Sequence, residues 1–355
     1  MKILQVIPYF CFGGAETMCE NLTYALRELG HEVCVVSLYP EHTPISQRME
    51  KAGVRIEYLD KKLGLDLSMI PKLCRIMKAE KPDVVHTHLD VIKYAVAAAK
   101  LAGIKKCVHT LHTLAHKEAE GRIQKIVNGF YFRRGWSVPV ALSPLVYQTI
   151  VDFYGMDGDR VPVIFNGVDL TRCPVRKAYT DGDLTIVHVG RMNPEKNHDG
   201  LLRAFLMVLE AYPNCRLQLV GDGELREEIE NQVQELGMKN QVSFLGYQSD
   251  VYPYLDEADI FVLPSSYEGM PMTIIEAMGS GLPVVASAVG GIPDMICDGE
   301  SGLLISPEPE SIRDALLTLI RDRSLREKLG RNAVVDSKRF SSLNMALEYC
   351  RVYRS

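Results

Sequence analysis

The sequence predicts an α/β protein made of two Rossmann-like, doubly wound parallel-sheet domains that face a cleft. Three observations predict this fold class. Short apolar runs alternate with longer segments of helical periodicity, which is the pattern of βαβ units. The 355 residues suffice for two domains that each have a core. A polar stretch rich in turn residues, 166–183, interrupts the alternation midway along the chain.

The N-terminal domain is predicted to span residues 1–168. It opens with a buried strand at 2–7 and a helix at 15–29, which Gly30 ends as a C-cap. Strands and helices then continue to alternate. Further strands are expected at 32–38, 83–88, 106–111, 138–141 and 161–164, and helices at about 66–80, 91–102, 117–134 and 143–154.

A linker is predicted at 169–183, and a C-terminal domain at 184–339. In doubly wound sheets, ligands bind beyond the carboxyl ends of the strands, so the residues that directly follow each strand are the candidates for a site. The strands of this second domain are expected at 184–190, 215–220, 241–244, 259–263, 283–286 and near 302–305.

Composition and charge exclude several classes of protein. The net charge of −5 argues against nucleic acid as the main partner. The apolar run at 3–7 is too short for a signal sequence, and no run approaches the roughly 18 apolar residues of a membrane span. Nine cysteines without a C-x-x-C pair are typical of reduced thiols. We therefore expect a cytoplasmic protein.

The common nucleotide and metal motifs do not occur in the sequence. The first strand is followed by Gly13-Gly14-Ala15-Glu16, and Gly221-Asp222-Gly223 has Arg226 where a dinucleotide fingerprint needs its third glycine. There is no P-loop. Two D-x-D triplets, 157–159 and 181–183, stand among turn residues rather than after a strand, so we interpret them as solvated turns and predict no metal site.

Two segments of the second domain carry residues suited to binding an anion and the vicinal hydroxyl groups of a ligand. Arg191 and Lys196 follow a strand and precede a helix, whose free amides and dipole favour an anion; two solvated surface cations are the alternative. Glu268 lies in a loop after a strand, and Gly269 lets backbone amides approach a ligand. Glu276 lies in an apolar stretch where an unpartnered carboxylate is costly to bury, which favours a binding role over a merely structural one.

In the first domain, histidines cluster at two neighbouring strand ends. His86 and His88 belong to one strand, and His109 and His112 to the next. Three interpretations stay open, which are hydrogen bonding and proton handling in a binding site, a zinc site, and buried structural histidines. The Gly13-Gly14 pair after the first strand permits close approach of a ligand, with a tight turn as the alternative.

Taken in order, these motifs resemble those of the retaining GT-B glycosyltransferases of family four, which build bacterial capsule, lipopolysaccharide and related glycans. The resemblance extends over nearly the whole chain, and it is specific because the motifs occur together. They are Gly13-Gly14-Ala15-Glu16, Asp83-Val84-Val85-His86, Thr110-Leu111-His112, Asn166-Gly167-Val168-Asp169, Gly190-Arg191, Glu195-Lys196-Asn197, Gly221-Asp222-Gly223, Glu268 with Glu276, Gly290-Gly291-Ile292-Pro293, and Gly299 with Gly302-Leu303-Leu304.

The resemblance implies a role for each candidate. Arg191 and Lys196 would bind the donor diphosphate, Glu276 would hold the ribose hydroxyls, and His112 would lie near the transferred sugar. Glu268, with the amides of segment 269–271, would hold the donor-sugar hydroxyls, and the segment 340–355 would pack back on the first domain. The implied catalytic set is His112, Arg191, Lys196 and Glu268; the implied donor-binding set is Gly14, Arg191, Lys196, Gly221, Asp222, Gly246, Glu268, Gly269, Met270, Pro271 and Glu276.

The expected activity is transfer of a sugar from a nucleotide diphosphate sugar, expected to be a UDP-sugar, to a saccharide or lipid-linked saccharide in cell-surface polysaccharide synthesis. No cofactor and no metal are expected, because fixed cations can stabilise the leaving diphosphate. Retention follows from the resemblance alone. Since no carboxylate stands out as a nucleophile, we expect front-face attack with the departing phosphate as base.

Three other activities compete with this expectation. A nucleotide-sugar epimerase of the same fold would convert the donor without an acceptor. A sugar phosphorylase would need pyridoxal phosphate. A sugar-nucleotide binding protein would hold the donor without transferring its sugar.

Residues 100–134 carry eight basic and two acidic residues, in a chain whose net charge is −5. Phe130, Tyr131, Phe132 and Trp136 stand beside the cations, as in interfacial helices. This region predicts peripheral contact with the inner face of the cell membrane or with a lipid diphosphate acceptor. The alternative is a solvated basic face whose aromatic side chains belong to the core.

Overall fold

The computed structural model of the chain describes residues 1–10, 13–119, 121–174, 178–179 and 181–355. The chain forms two compact units, the first made of 1–167 with 342–355 and the second of 168–341. Each unit contains one six-stranded sheet, and every strand pair in both sheets is parallel. Helices flank both sheets, so the predicted fold class is confirmed.

The strands of the first unit are ordered β3-β2-β1-β4-β5-β6, the doubly wound order with its switch point between β1 and β4. They are β1 (Lys2–Ile7), β2 (Glu32–Ser37), β3 (Arg55–Tyr58), β4 (Val84–His88), β5 (Lys106–Leu111) and β6 (Val138–Ala141). The helices are α1 (Gly14–Glu28), α2 (Pro44–Lys51), α3 (Met69–Glu80), α4 (Ile92–Ala102), α5 (Ala115–Glu118), α6 (Arg122–Arg133), α7 (Pro144–Tyr154) and, from the end of the chain, α14 (Ser342–Arg354).

The second unit repeats this topology, with the order β12-β11-β10-β7-β8-β9 and its switch point between β7 and β10. Its strands are β7 (Thr185–Val189), β8 (Arg216–Val220), β9 (Val242–Gly246), β10 (Ile260–Leu263), β11 (Val284–Ser287) and β12 (Leu303–Ile305). Its helices are α8 (His198–Ala211), α9 (Arg226–Glu235), α10 (Tyr252–Glu257), α11 (Met272–Gly279), α12 (Pro309–Arg321) and α13 (Arg323–Ser337).

The apolar runs form strands because both faces of each sheet are covered. All residues of β4, β10 and β11 are buried, as expected for central parallel strands. The helices cover the sheets through amphipathic faces, and each unit has its own large apolar cluster.

The structure differs from the sequence-based expectations at four elements of the first unit. The expected strand at 161–164 is wrong, because only Val163 forms a single bridge, to Ala141. The expected helix at 117–134 is two helices, α5 and α6, and Gly121 between them has a positive φ of 91° that ends helical geometry. Strand β3 and helix α2 were not expected from the sequence.

The segment 169–183, expected as a linker, packs in its described residues on the second unit. The Arg172 guanidinium lies over the ring of Tyr252 and 3.5 Å from a carboxylate oxygen of Asp250. The Tyr179 hydroxyl donates a 2.6 Å hydrogen bond to the carbonyl oxygen of Gly281. These contacts bind the segment to the body of the second unit, so it is not a free connection.

Helix α14 belongs to the first unit, where its tyrosines reach the ends of the central strands. The Tyr353 hydroxyl lies 2.7 Å from Nδ1 of His86, and the Tyr349 hydroxyl lies 2.7 Å from Oγ1 of Thr110. Both tyrosines are buried. Across the described ranges, no helix has both the length and the apolar character needed to span a membrane.

Candidate functional site

In the second unit, the loops that follow β7, β8 and β9 are joined by backbone hydrogen bonds. The amide of Met192 donates to the carbonyl oxygen of Asp222 at 2.9 Å, and the amide of Leu225 donates back to Met192 at 3.0 Å. The amide of Gly221 donates to the carbonyl oxygen of Gly246 at 2.9 Å. The ends of these three neighbouring strands therefore form one connected platform on the β7 side of the switch point, and a ligand is expected at the switch point.

Two glycines allow these loops to approach each other. A Cβ atom on Gly221 would lie 1.9 Å from the carbonyl oxygen of Gly190, and one on Gly223 would lie 2.4 Å from that of Met192. Gly221 also has a positive φ of 141°. The resemblance implied that Gly221 binds the donor. In the structure, Gly221 allows its loop to pack closely against the loop that carries Arg191.

Asp222 and Arg191 have different surroundings on this platform. Asp222 accepts the amide of Gly223 at 2.8 Å and faces Arg226 at 3.3 Å, so its carboxylate braces its own loop. The Arg191 side chain is 65% exposed. Its guanidinium lies 3.5 Å from a carboxylate oxygen of Glu224, a surface ion pair of little strength. Arg191 is therefore accessible to an anion from solution.

Lys196 and Glu268 meet, although 72 residues separate them in the sequence. Nζ of Lys196 donates to Oε1 of Glu268 at 2.5 Å, and the hydroxyl of Ser265 donates to the same oxygen at 2.6 Å. Both charged side chains are largely buried. The resemblance gave these residues separate roles, whereas here the carboxylate orients the ammonium and the ammonium neutralises the carboxylate.

The backbone around Glu268 is held by the glycine pair that follows β11. Gly290 has φ of 59°, and a Cβ on it would lie 1.7 Å from the carbonyl oxygen of Glu268. The amide of Gly291 donates to the carbonyl oxygen of Gly269 at 2.9 Å. This packing fixes the path of the loop from which Glu268 points.

Asn197 belongs to the Glu195-Lys196-Asn197 motif, but the sequence reasoning gave it no role. Its side-chain amide donates to the carbonyl oxygens of Pro264 and Pro307 at 3.1 and 2.8 Å, while its oxygen caps the amide of Gly200 in α8. Asn197 adopts φ of 55°, which asparagine tolerates better than most residues. It ties the Lys196 turn to the ends of β10 and β12.

Glu276 is the fifth residue of α11. It is buried, and among the described residues no donor forms a hydrogen bond with its carboxylate. Burial raises the pKa of Glu276 from 4.5 to about 7, against the opposing effect of the Arg172 charge. An uncompensated carboxylate of this kind is typical of a functional site. Neither Arg172 nor Asp250, which also faces Glu276, stood out in the sequence.

One expectation about the loop at 269–271 is wrong in detail. Pro271 has no N–H, so it cannot donate a hydrogen bond to a ligand and instead stands at the N-cap of α11 with an extended ψ of 119°. The amides of Gly269 and Met270 remain as the donors of this segment. The Met270 side chain is buried.

In the first unit, Gly14 begins α1 and faces open space. Among the described residues, no atom lies within 4 Å of a Cβ built on Gly14, whereas a Cβ on Gly13 would meet the carboxylate of Glu16 at 2.5 Å. Packing against the described residues therefore does not explain the glycine at position 14. A ligand that approaches the backbone would explain it.

The four histidines of the first unit do come together, in a buried hydrogen-bond network. His86 bonds to Thr110 at 2.8 Å, and His109 bonds to Glu118 at 2.8 Å. Nδ1 of His88 lies 3.1 Å from Nε2 of His112. Burial holds the pKa values of His86 and His88 well below 6.5 and lowers that of His112 to about 4, so these three rings are neutral at pH 7.

The zinc interpretation of these histidines finds no support in the geometry. Within the described ranges, the one group that brings three metal-ligand atoms within 4.8 Å of one another is Glu32, Cys34 and Glu80. Lys2 pairs with both of these glutamates, and Arg55 pairs with Glu80. The two D-x-D triplets behave as turns, with Asp157 capping a 3-10 turn and Asp181 pairing with Arg323.

This fold, two doubly wound units with candidate anion-binding groups at the strand ends of the second, defines a GT-B architecture. The family model described as Glycosyl transferases group 1 matches residues 175–335, and the one described as Glycosyltransferase Family 4 matches residues 12–172. The structure of HepE from Anabaena in complex with UDP aligns with a TM-score of 0.86 at 22% identity, covering all of both chains.

Curated relatives agree with the family models. The UDP-Gal:alpha-D-GlcNAc-diphosphoundecaprenol alpha-1,3-galactosyltransferase of Escherichia coli is 30% identical, over 76% of this chain and 75% of its own length. An uncharacterized glycosyltransferase of Methanocaldococcus jannaschii is 27% identical over all of this chain and 98% of its own. The chain belongs to the GT-B glycosyltransferases of the family-four type.

The buried charge of Glu276 yields a prediction about stability. Because its pKa is higher in the folded than in the unfolded state, folding favours the protonated form, and stability falls as pH rises from 4.5 through about 7. Glu276→Gln removes the free-energy cost of burying a charged carboxylate. The ligand-free variant should therefore be more stable than the wild type by up to about 3 kcal/mol at about pH 8. At about pH 5 the difference should be less than about 1 kcal/mol.

Denaturant unfolding at both pH values measures this difference. Glu235→Gln, at an exposed position of α9, is the control and should change stability little at either pH. If Glu276→Gln destabilised the protein at the higher pH, the carboxylate would be a structural partner rather than an uncompensated charge.

A pair of glycine substitutions separates ligand approach from packing. Gly14→Ala should leave the melting temperature unchanged or slightly higher, because the added methyl group meets no described atom, yet it should lower sugar-nucleotide turnover. Gly290→Ala should destabilise the protein by about 2 kcal/mol or more, because of its positive φ and the clash with Glu268. Full activity of Gly14→Ala would mean that no ligand approaches this position.

Proposed function

We propose that this glycosyltransferase moves a hexosyl group from a UDP-sugar onto a saccharide or lipid-linked saccharide, with retention of anomeric configuration and without a metal ion. We further propose a role in cell-surface polysaccharide synthesis. The observation that carries the proposal is the buried Lys196–Glu268 pair beside the accessible Arg191, with the uncompensated Glu276 on the same unit.

This arrangement suits a donor that has a diphosphate at its centre and hydroxyl groups at both ends. Arg191 supplies positive charge for the diphosphate and can bind it in a bidentate manner. The ammonium of Lys196 donates one hydrogen to Glu268 and has further N–H groups that can donate to a phosphate oxygen. Glu276 needs hydrogen-bond donors, which two ribose hydroxyls would supply. Glu268 already accepts two bonds on Oε1, and its other oxygen would accept from a hydroxyl of the sugar.

Relatives support the choice of donor and acceptor. The E. coli galactosyltransferase acts, by its name, on UDP-galactose and a diphosphoundecaprenol-linked acceptor, and the HepE structures contain UDP or UDP-glucose. The first unit would supply the acceptor-binding domain and the second the donor-binding domain.

In the proposed reaction, the bond between the anomeric carbon and the diphosphate oxygen breaks, and its electron pair leaves with UDP. The acceptor oxygen bonds to the anomeric carbon from the same face, and its proton passes to the departing phosphate. Charge builds on the leaving diphosphate, where Arg191 and Lys196 stabilise it in place of a metal. His112 would hydrogen-bond a hydroxyl of the transferred sugar.

A turnover assay tests the proposed function. The purified protein is incubated with a panel of UDP-, GDP- and ADP-sugars, with and without a lipid-linked saccharide, in excess EDTA. We expect UDP release that depends on a UDP-sugar and persists in EDTA, and an α-linked product from an α-linked donor. Lys196→Ala should lower kcat about 100-fold or more, because it removes preorganised charge at the leaving group.

The same assay distinguishes the competing activities. An epimerase would change the donor sugar without releasing UDP, and a phosphorylase would show the absorbance of pyridoxal phosphate. A binding protein would be stabilised by the donor but release no nucleotide. Activity that EDTA abolishes and a divalent ion restores would contradict metal independence, and inversion of the anomeric centre would contradict retention.

We also propose that helix α6 docks the protein on an anionic membrane. Its residues Ile123, Ile126 and Phe130 lie on one face and are 79%, 58% and 40% exposed. Exposed Arg122 and Lys125 flank them, together with Arg133 and Arg134 at the end of the helix.

Two further observations refine the sequence-based expectation for this region. Glu118 points inward to His109, so the surface is more basic than the residue count suggests. Of the aromatic residues, Tyr131 and Phe132 are buried in the core, as the alternative interpretation expected. The apolar groups available to a membrane are therefore mainly the two isoleucines, which the sequence reasoning did not single out.

Flotation with phosphatidylcholine vesicles, with and without phosphatidylglycerol, tests the docking face. We expect binding only to anionic vesicles at low salt. The double variant Ile123→Ser, Ile126→Ser should bind at least about tenfold more weakly, because the contact of each isoleucine with the acyl region is lost. The control replaces Leu63, Leu65 and Leu67, which are exposed in the loop before α3, by serine. Equal binding of the α6 variant and the wild type would exclude α6 as the docking face.

A further inference from the structure

We propose that Gln5 and His88 are positioning residues that fix the tautomer of His112, so that its Nδ1 is a hydrogen-bond acceptor for a hydroxyl of the transferred sugar. We call the hydrogen-bonded series Thr23, Gln5, His88 and His112 the histidine relay. The inference rests on the proposed function for its sugar ligand, but the relay itself is set within the first unit.

The direction of the relay is set at its first member. Oγ1 of Thr23 lies 2.7 Å from the carbonyl oxygen of Cys19, which can only accept, so the threonine hydroxyl donates its hydrogen there. Thr23 can then only accept from Gln5, whose Nε2 lies 2.6 Å away. The amide of Gln5 is therefore oriented with Nε2 towards Thr23 and Oε1 towards β4.

The remaining steps follow from this orientation. Oε1 of Gln5 lies 2.9 Å from Nε2 of His88 and can only accept, so that nitrogen carries a hydrogen. A neutral His88 then has its lone pair on Nδ1, which lies 3.1 Å from Nε2 of His112. His112 therefore carries its hydrogen on Nε2, and its own lone pair is on Nδ1.

Burial fixes the donor-to-acceptor direction of these hydrogen bonds. Thr23, Gln5 and His88 are completely buried, so no water can substitute for a lost partner. Burial also holds the pKa of His88 well below its usual value, so the ring does not gain a second proton at neutral pH and reverse the direction. The thiol of Cys19, 3.4 Å from Oε1 of Gln5, adds a weak donor to the same acceptor.

The consequence concerns what His112 can bind. It directly follows β5 and is partly exposed, while its backbone amide donates to Glu118 at 2.7 Å. With the lone pair on Nδ1, the ring accepts a hydrogen bond from a sugar hydroxyl and has no hydrogen there to donate. Reversal of the tautomer would place two hydrogens against each other and weaken sugar binding without affecting the nucleotide.

The tautomer can be measured in the free protein. Long-range proton–nitrogen NMR correlation of protein labelled with ¹⁵N-histidine distinguishes protonated from unprotonated ring nitrogens. We expect His112 to be protonated on Nε2 in the wild type, in at least about tenfold excess over the other tautomer. Thr23→Val removes the hydroxyl that orients Gln5 and should give a mixture, whereas Thr23→Ser keeps the hydroxyl and should match the wild type.

Binding measurements then test the function of the relay. Thr23→Val should weaken affinity for the UDP-sugar about threefold to tenfold, the loss of one modest hydrogen bond, and leave affinity for UDP unchanged. Gln5→Met removes the same link at the next member and should have the same effect if Thr23→Val fails to fold. Melting curves of both threonine variants control for stability.

The outcomes are distinguishable. A wild-type His112 protonated on Nδ1, or a tautomer unchanged in both Thr23→Val and Gln5→Met, would overturn the relay. A shifted tautomer with equal loss of UDP and UDP-sugar affinity would overturn its role in sugar recognition. Wild-type protein that binds no UDP-sugar would contradict the proposed function instead, and the NMR result would still report on the relay.

Discussion

The candidate donor site depends on close backbone packing at the carboxyl ends of the second sheet. At Gly221 and Gly290 a side chain would overlap a carbonyl oxygen of the neighbouring loop. Without that approach, the loop of Arg191 could not bond to Asp222, and the loop of Glu268 would lose its fixed path. The glycines at positions 221 and 290 thus determine where the loops place their charged side chains.

The polar groups at the strand ends are charged in the second unit, whereas three buried histidines of the first unit are neutral. In the second unit, Lys196 and Glu268 neutralise each other, while Glu276 keeps a carboxylate that burial disfavours in its charged form. In the first unit, burial keeps His86, His88 and His112 uncharged. The described strand ends of the second unit therefore carry charged groups, whereas these three histidine rings of the first unit are neutral.

The sequence predicted those features that have a local pattern. Strands β10 and β11 were found because their residues are almost all apolar, and Glu276 was found because a carboxylate stood in an apolar stretch. Strand β3 was missed because it has only four residues and none is fully buried. The expected strand at 161–164 has a strand-like composition, but only Val163 pairs with the sheet.

Contacts between distant parts of the chain left no such signal. Lys196 and Glu268 were both identified, yet nothing local showed that they form a pair across 72 residues. Arg172 was assigned to a linker, although it lies near Glu276 and Asp250. Gln5 and Thr23 look like ordinary residues of a buried strand and helix, and only their hydrogen bonds show that they orient a histidine.

The central claim is that the strand ends of the second unit bind the nucleotide diphosphate. Hydrogen–deuterium exchange with and without saturating UDP tests it most directly, because bound amides become protected where the ligand orders the backbone. The account predicts protection at 190–197, 221–223 and 268–276. Protection confined to other segments, with these three unchanged at a UDP concentration that saturates binding, would contradict it.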